Sequence, residues 1–343
     1  MSRLQFSKEG RFRILMVSDA HWNYRKHVPY TGEMYRERQR RIVDGIERLL
    51  AWAKPDFVLL GGDQCLGADT EEEMQEEMEK LLAPVLKRGL PWAAVFGNHD
   101  REQNHSLETE QRAYEKIPGC LSAAGPEDLP GVGNYCLEVF SSREEGVACH
   151  IWGLDSLAES KRDFVQYLNL PQDTRFVLPR PLHMGCGYAG VTPKQVFWYY
   201  RESERREREA GKKIPAVMFM HIPLPELCTT VRNPAECNLW GMQLEKPCPP
   251  ELNSGMFMAC LQRGDVKGIF FGHEHSNAFD SEYCGITLGY DGTIGYDMNG
   301  TTCYMWGGRV IDLTEDGGFS TRFIPLMRLM KLEDMGIWGE RRE

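Results

Sequence analysis

The sequence predicts an α/β protein that keeps its chemistry in loops at the carboxyl ends of β-strands. One observation is a set of short metal-ligand clusters in fixed order: Asp19-Ala20-His21, Gly62-Asp63, Gly97-Asn98-His99-Asp100, His221, and Gly272-His273-Glu274-His275. Another is what precedes them. Four of the five follow apolar, β-branched or aromatic runs of strand length, at Phe12 to Val17, Phe57 to Leu60, Ala216 to Met220 and Ile269 to Phe271, and the third follows the mixed run Trp92 to Phe96. Five such ends converging on one edge would gather Asp, Asn and His into a polar pocket that requires a cation.

The elements follow in order. After the first strand comes a loop, His21 to Gly32, then a helix from Glu33 to Ala53 that stops before Lys54-Pro55. The second strand delivers Asp63, and Thr70 is placed to cap an acidic helix with apolar members Met74, Met78, Leu81 and Leu82. Leu90 to Phe96 forms the third strand and delivers Asn98 and His99; a helix spans Leu107 to Lys116, and Gly119 to Gly133 is rich in turns. Tyr135 to Phe140 and Ala148 to Leu154 read as neighbouring strands. Ser156 to Thr192 reads as a long surface loop, of the kind that is functional or mobile. Pro193 then suits the first turn of a helix capped by Thr192 and running to about Ala210. Strand Ala216 to Met220 presents His221, Glu226 to Pro250 is a second irregular insertion, and a helix near Gly255 to Gln262 precedes the strand that presents His273 and His275. From Cys284 onward the pattern is strand and turn, clearest at Val310 to Leu313 and Phe319 to Ile324.

With 343 residues and ligand clusters running from the first strand past residue 270, a single domain over 1–343 is expected, its core at about 11–325 and a C-terminal tail at 326–343. At 42% hydrophobic residues the composition suits a globular chain without a membrane span, and the polar Met1 to Gly10 lacks the apolar stretch of a signal peptide. A cytoplasmic location, with no membrane partner, is the expectation. The odd count of 11 cysteines argues for reduced thiols; Cys228, Cys237 and Cys248 lie close together but lack the C-x-x-C pairs of a structural zinc site. A net charge of −10 repels polynucleotides, so no nucleic-acid partner is expected. The densest basic stretch, Arg201 to Lys213, is interleaved with glutamates and reads as a solvated helix face.

Taken together, with no ligand missing, the clusters resemble the signature of the calcineurin-like metallophosphoesterases: D-x-H, G-D, G-N-H-D/E, a lone His and G-H-x-H. Gly131-Val132-Gly133-Asn134-Tyr135, Leu154-Asp155-Ser156, Thr192-Pro193-Lys194-Gln195, His221-Ile222-Pro223-Leu224-Pro225-Glu226 and Asn253-Ser254-Gly255 extend the likeness to the small, purple-acid-phosphatase-like branch. Purple members carry a tyrosinate ligand three residues after the aspartate of G-D; that position here is Leu66. The resemblance implies a β-sandwich of two mixed sheets flanked by helices, with the metal site at strand carboxyl ends. It implies that Asp19, His21, Asp63 and His275 hold one metal ion and Asp63, Asn98, His221 and His273 the other, Asp63 bridging. The mixed N/O donors suit Mn, Fe, Zn or Co better than Ca.

What the resemblance implies chemically is hydrolysis of a small phosphorylated substrate, a phosphomonoester or small phosphodiester. Two metals lower the pKa of a bridging water from 15.7 toward roughly 7, and the resulting hydroxide is the nucleophile. His99, assigned no metal, is cast as the group that stabilises or protonates the leaving oxygen, with Asp100 orienting its imidazole. Arg101 and His27 stand on adjoining loops within reach of a phosphate, with solvated loop residues as the competing reading; His105, His150 and His183 receive no role. Two alternatives remain beside this one: a nuclease, disfavoured by the acidic balance, and a metal-stabilised scaffold that binds a partner without catalysis. Substrate choice is assigned to the insertions 156–192 and 226–250, and oligomeric state is left open.

Overall fold

Successive residues of a strand point to opposite faces, so a stretch apolar at every position must be covered on both sides. That is the condition of β2 (Phe57–Leu60) and β6 (Ala216–Phe219), of β1 (Arg11–Val17) from Ile14 on and of β8 (Val266–Phe271) from Ile269 on, and it dictates the layering. In the computed structural model, which describes residues 3–23, 32–158, 187–296 and 304–330, Phe12, Ile14, Met16, Phe57 and Leu59 share a core with Val217, Phe219 and Phe270. Their neighbours turn outward. Leu15, Val17, Val58 and Leu60 pack under helices on one side; Ala216, Met218, Ile269 and Phe271 do so on the other.

Two mixed sheets therefore lie face to face between helical layers. β3 (Trp92–Ala94), β4 (Tyr135–Phe140), β5 (Val147–Gly153), β7 (Trp240–Gln243), β9 (Asn277–Tyr283), β10 (Ile286–Tyr290), β11 (Gly307–Thr314) and β12 (Phe319–Pro325) complete them. The five-stranded sheet has the order β12-β11-β1-β2-β3, and the seven-stranded sheet β4-β5-β6-β8-β10-β9-β7. The ligand-bearing strands are parallel within each sheet, and register matters. Pairing of Val17 with Leu60 and of Leu60 with Ala94 starts three ligand loops at one level, and pairing of Phe219 with Phe270 does the same for the other two.

Helix α1 (Gly32–Ala53) covers the five-stranded sheet with Ile42, Ile46, Leu49, Leu50 and Ala53, the helical spacing of one apolar face. α2 (Glu71–Leu81) starts at Thr70, whose side chain accepts the Glu73 N–H; the short α3 (Ala83–Leu86) and α4 (Leu107–Lys116) follow on the same side. α5 (Pro193–Ala210) begins with a capping box between Thr192 and Gln195 and ends at Gly211, whose φ of +67° only glycine adopts freely. The second insertion is less irregular than the sequence implies. It contains α6 (Leu227–Arg232) and the edge strand β7, which pairs with β9, an element also missing from the sequence reading. β7 escapes because Trp240 and Met242 lie on an exposed edge, without the buried-face alternation that marks a strand. α7 (Met256–Arg263) precedes β8. Most of the expected loop 156–192 lies outside the described residues, as do His27, His183 and residues 331–343 of the expected tail. Among the described residues, no helix is long and apolar enough to cross a membrane.

Candidate metal centre

Each ligand loop leaves its strand abruptly. Asp19, His21, Asp63 and His273 all have positive φ, at 56°, 43°, 54° and 83°. Left-handed backbone at non-glycine residues costs about 1–3 kcal/mol each and persists only where surroundings enforce it, typically at functional sites. The glycines of the motifs serve approach as well as turning. A Cβ on Gly62 would stand 2.2 Å from His221 Nδ1, and one on Gly97 would stand 2.1 Å from Asp63 Oδ1. Neither backbone could carry a side chain and still let the ligand loops meet.

The structure brings five of the seven expected metal residues into two overlapping groups. Asp19, His21 and His275 offer ligand atoms all within 4.8 Å of one another, and so do Asp19, Asp63 and His221. His21 Nε2 faces His275 Nε2 at 3.0 Å, and His275 Nε2 lies 3.2 Å from Asp19 Oδ1. Asp63 Oδ2 stands between two imidazoles, 3.7 Å from His21 Nε2 and 3.2 Å from His221 Nε2. Asp19 also reaches both groups, a sharing that the motif alone did not suggest. His273 sets its ring edge-on to His221 at 5.2 Å between centroids.

The donor set fits a cation pair. His221 Nδ1 faces the Gly61 carbonyl at 2.8 Å, so one proton belongs there and Nε2 is the atom turned toward the centre, a ligand once it gives up its own proton. That buried Nε2 and the buried Oδ1 of Asn98 have no hydrogen-bond partner, and such orphaned polar atoms are expensive unless something binds them. Imidazole, carboxylate and amide oxygen form a set suited to transition divalents.

Charges are arranged to match. Burial would raise the Asp63 pKa, but His221, His99 and His21 outweigh it and hold the carboxyl well below the usual range. Burial depresses His21 strongly, against the pull of Asp63, and depresses His273, with His221 adding to the effect. For His221 burial is overcome by Asp63 and Asp19, which push it up to about 10, so a cation arriving there must displace a proton.

Asp100 corrects one expectation. It does not orient His99: its carboxylate accepts the backbone N–H groups of Asp63 at 2.9 Å, Gln64 at 2.9 Å and Gly97 at 2.8 Å, tying the second and third ligand loops together. The imidazole of His99 has another partner, Glu102 Oε1, 2.9 Å from Nδ1 and one turn along the short 3-10 helix His99–Glu102. Burial and the charge of Asp63 raise Asp100 to about 7, against the hydrogen bonds from Gly97 and Asp63. His99 itself is half-exposed, 5.3 Å from the ring of His21.

Arg101 is not aimed at the pocket alone. Its guanidinium bonds the buried carboxylate of Asp155, which also accepts Val132 N–H and Leu157 N–H, each at 2.8 Å. Gln195 Nε2 reaches Asn134 Oδ1 at 2.9 Å and the Asp155 carbonyl at 2.7 Å, so three motifs far apart in sequence form one buried network. Ser156 extends it by accepting Ile222 N–H at 2.8 Å, directly after His221. Two further neighbours were missed in the sequence. Tyr188 lies edge-on to His273 at 4.4 Å, and Glu274 accepts the Cys248 N–H at 2.6 Å and the Tyr290 hydroxyl. Glu274 was visible as the central residue of the last motif; Tyr188 carried no signal beyond its aromaticity. Cys228, Cys237 and Cys248 are free thiols, and among the described residues they form no metal-ligand group.

A face-to-face pair of mixed sheets with acid, amide and imidazole donors gathered at strand ends defines a metallophosphoesterase. The chain belongs to the calcineurin-like phosphoesterase family, whose profile matches residues 12–277. It is 29% identical over 332 residues to a protein named probable inactive purple acid phosphatase 14 of Arabidopsis thaliana, covering 90% of this chain and 77% of that one. It is 28% identical over 301 residues to phosphatase DCR2 of Saccharomyces cerevisiae, covering 82% of this chain and 46% of that protein. Among solved structures, a dimetal phosphatase from Danio rerio has the same fold with a TM-score of 0.54 at 13% identity, covering 91% of this chain and 98% of the other.

Proposed function

We propose that the protein is a dinuclear metal-dependent hydrolase of small phosphate esters, monoesters or small diesters. The observation that carries this reading is the convergence of Asp19, His21, Asp63, His221 and His275 at one edge, with Asn98 Oδ1 and His221 Nε2 buried and without a hydrogen-bond partner. Asp19, His21, Asp63 and His275 would hold one ion of Mn, Fe, Zn or Co, and Asp63, Asn98, His221 and His273 the other. When bound, such a pair neutralises phosphoryl charge and acidifies a water, which a reaction as slow as phosphate ester hydrolysis needs.

The chain's own residues supply the rest. Asp63, held anionic by its histidine neighbours, offsets the charge of two cations at once. Glu102 on Nδ1 fixes the His99 ring so that Nε2 presents the proton to the leaving oxygen. Asp100 keeps the Asp63 and Asn98 loops at one spacing. The segment around Tyr188 meets the chain just past the 226–250 insertion, where Glu251 N–H donates to the Tyr188 carbonyl at 3.4 Å. Together they would wall a pocket for a small molecule rather than a duplex. A cytoplasmic setting and small phosphorylated partners complete the reading.

The names of the plant relatives, which carry the word inactive, favour a second reading: a metal-stabilised scaffold without turnover. Purified protein reconstituted with each candidate metal and assayed on paired monoester and diester substrates separates the two. Metal-dependent turnover that disappears with chelator supports the hydrolase. Two tightly bound ions with no turnover on either ester would reject it in favour of the scaffold.

A further inference from the structure

We infer that Arg38, a residue of α1 outside every ligand motif, is the positioning residue of the first ligand loop and sets the affinity of the Asp19/His21/His275 cation site. The inference rests on the metal-centre reading above and adds to it a support that the motifs do not contain.

Arg38 is 3% exposed, and a guanidinium so deeply buried has to be satisfied by hydrogen bonds. Its planar fork is satisfied by backbone. Nη1 donates to the His21 carbonyl at 2.9 Å, Nη2 to the Ala20 carbonyl at 2.9 Å, and Nε to the Tyr296 carbonyl at 3.1 Å. Two consecutive carbonyls of the D-x-H loop are thus clamped by one rigid group, which the single ammonium of a lysine cannot reproduce.

The clamp acts where strain is concentrated. Asp19 and His21 flank Ala20 and both have left-handed backbone, so the loop relaxes unless something over-determines it. The rest of the bracing comes from the segment that Arg38 also holds. Thr293 Oγ1 donates to the Asp19 carbonyl at 2.8 Å, and Ile294 N–H donates to the Ser18 carbonyl at 2.8 Å. By bonding Tyr296 as well as His21, Arg38 locks this brace and the ligand loop into one unit. The bonds act on Ala20 and His21, so the effect belongs to the cation that Asp19, His21 and His275 would share; His221 is anchored elsewhere, on Gly61.

The test is calorimetric titration of Mn²⁺ into the chelator-treated full chain, with thermal stability measured on the same samples. For Arg38→Met, one of the two binding steps is expected to weaken by about 10- to 100-fold, the range for outer-shell partners of metal ligands, while the other stays within error. Arg38→Lys should recover part of that loss by reaching one carbonyl. Thr293→Val, which keeps the arginine but cuts the neighbouring brace, should weaken the same step, and it carries the test if Arg38→Met does not fold. Arg40→Met, on the exposed side of α1, should change neither step. Folded Arg38→Met that binds both ions as wild type does would overturn the inference. Equal weakening of both steps, in parallel with melting temperature across the variants, would overturn it too, since that is the signature of a merely structural role. If wild type binds no ions while remaining folded, the metal-centre reading falls first and this inference with it.

Discussion

The five-stranded sheet contributes Asp19, His21, Asp63 and Asn98 to the metal edge, whereas the seven-stranded sheet contributes His221, His273 and His275, so both carboxylates come from one side and three imidazoles from the other. The two sides are also held differently. Three of the four ligands with left-handed backbone belong to the five-stranded sheet, and their loops are tied by Asp100, Arg38 and Thr293 through bonds to the backbone. On the other side His221 stands two positions after Phe219, the end of β6, and its ring is anchored on the Gly61 carbonyl. Two carboxylates brought together repel and must be held from behind. Imidazoles carry no negative charge to repel one another, and a strand end suffices to place them.

The largest effect of that difference belongs to the acid that faces both groups. Asp63→Asn is expected to lose both cations and turnover together, beyond the roughly 10²-fold ceiling of outer-shell changes. His221→Ala, from the other sheet, should release one cation and retain the second. Metal stoichiometry after dialysis, read beside activity, checks the pair. Release of both cations by His221→Ala would erase the asymmetry.

His99 belongs to the five-stranded side without being a ligand. His99→Ala should leave both cations in place and lower turnover by about 10²- to 10⁴-fold, the range for a general acid. The loss should shrink on nitrophenyl esters, whose leaving groups need no proton. Metal release from His99→Ala would make it a ligand after all.

A smaller effect separates the two outer carboxyls. Asp100→Asn leaves fewer acceptors for three backbone N–H groups and should weaken metal binding by about 10- to 100-fold. Glu274→Gln should do less. Burial raises Glu274 to about 8, above the opposing hydrogen bonds from Tyr290 and Cys248, so at neutral pH its carboxyl is mostly protonated and an amide mimics it. The sign follows: a folded pKa above the unfolded one contributes stability present below about 4.5 and lost as pH rises through about 8. Denaturation midpoints of chelated protein across that window should fall with pH, and Glu274→Gln should flatten the slope.

The sequence made the ligands of the seven-stranded side readable, because a ligand at a strand end is announced by the strand. Apolar runs before His221 and His273 located both. The ligands of the five-stranded side were equally readable, but their bracing was not. Arg38 lies on a helix whose pattern shows only a polar residue, and Thr293 sits in a segment without periodicity; nothing local says that either faces a carbonyl of the first loop. Asp100 was seen and misread, since adjacency to His99 suggested a partner when Glu102, one helical turn on, had the better direction. β7 and β9 were lost for a related reason: an edge pair has less buried alternation to read.

The smallest expected effect is an absence of colour, and it asks which sheet can supply a phenolate. Purple enzymes take theirs from the loop that here carries Leu66, a buried side chain on the five-stranded side. Tyr135 is committed to the core, donating to the Ala94 carbonyl at 2.9 Å, while Tyr24 lies outside the described residues. Tyr188 is nearer, its ring 4.4 Å from that of His273 on the seven-stranded side. Edge-on contact with a ligand ring makes it a wall of the site, not a donor. Iron-loaded protein is therefore expected to show no intense visible band. Leu66→Tyr should introduce one, since the Leu66 backbone is already fixed by its N–H bond to the Trp22 carbonyl at 2.7 Å and presents the side chain from the loop that carries Asp63. A strong band in wild type that vanishes in Tyr188→Phe would move the phenolate to the other sheet and reverse the division of ligands on which the comparison stands.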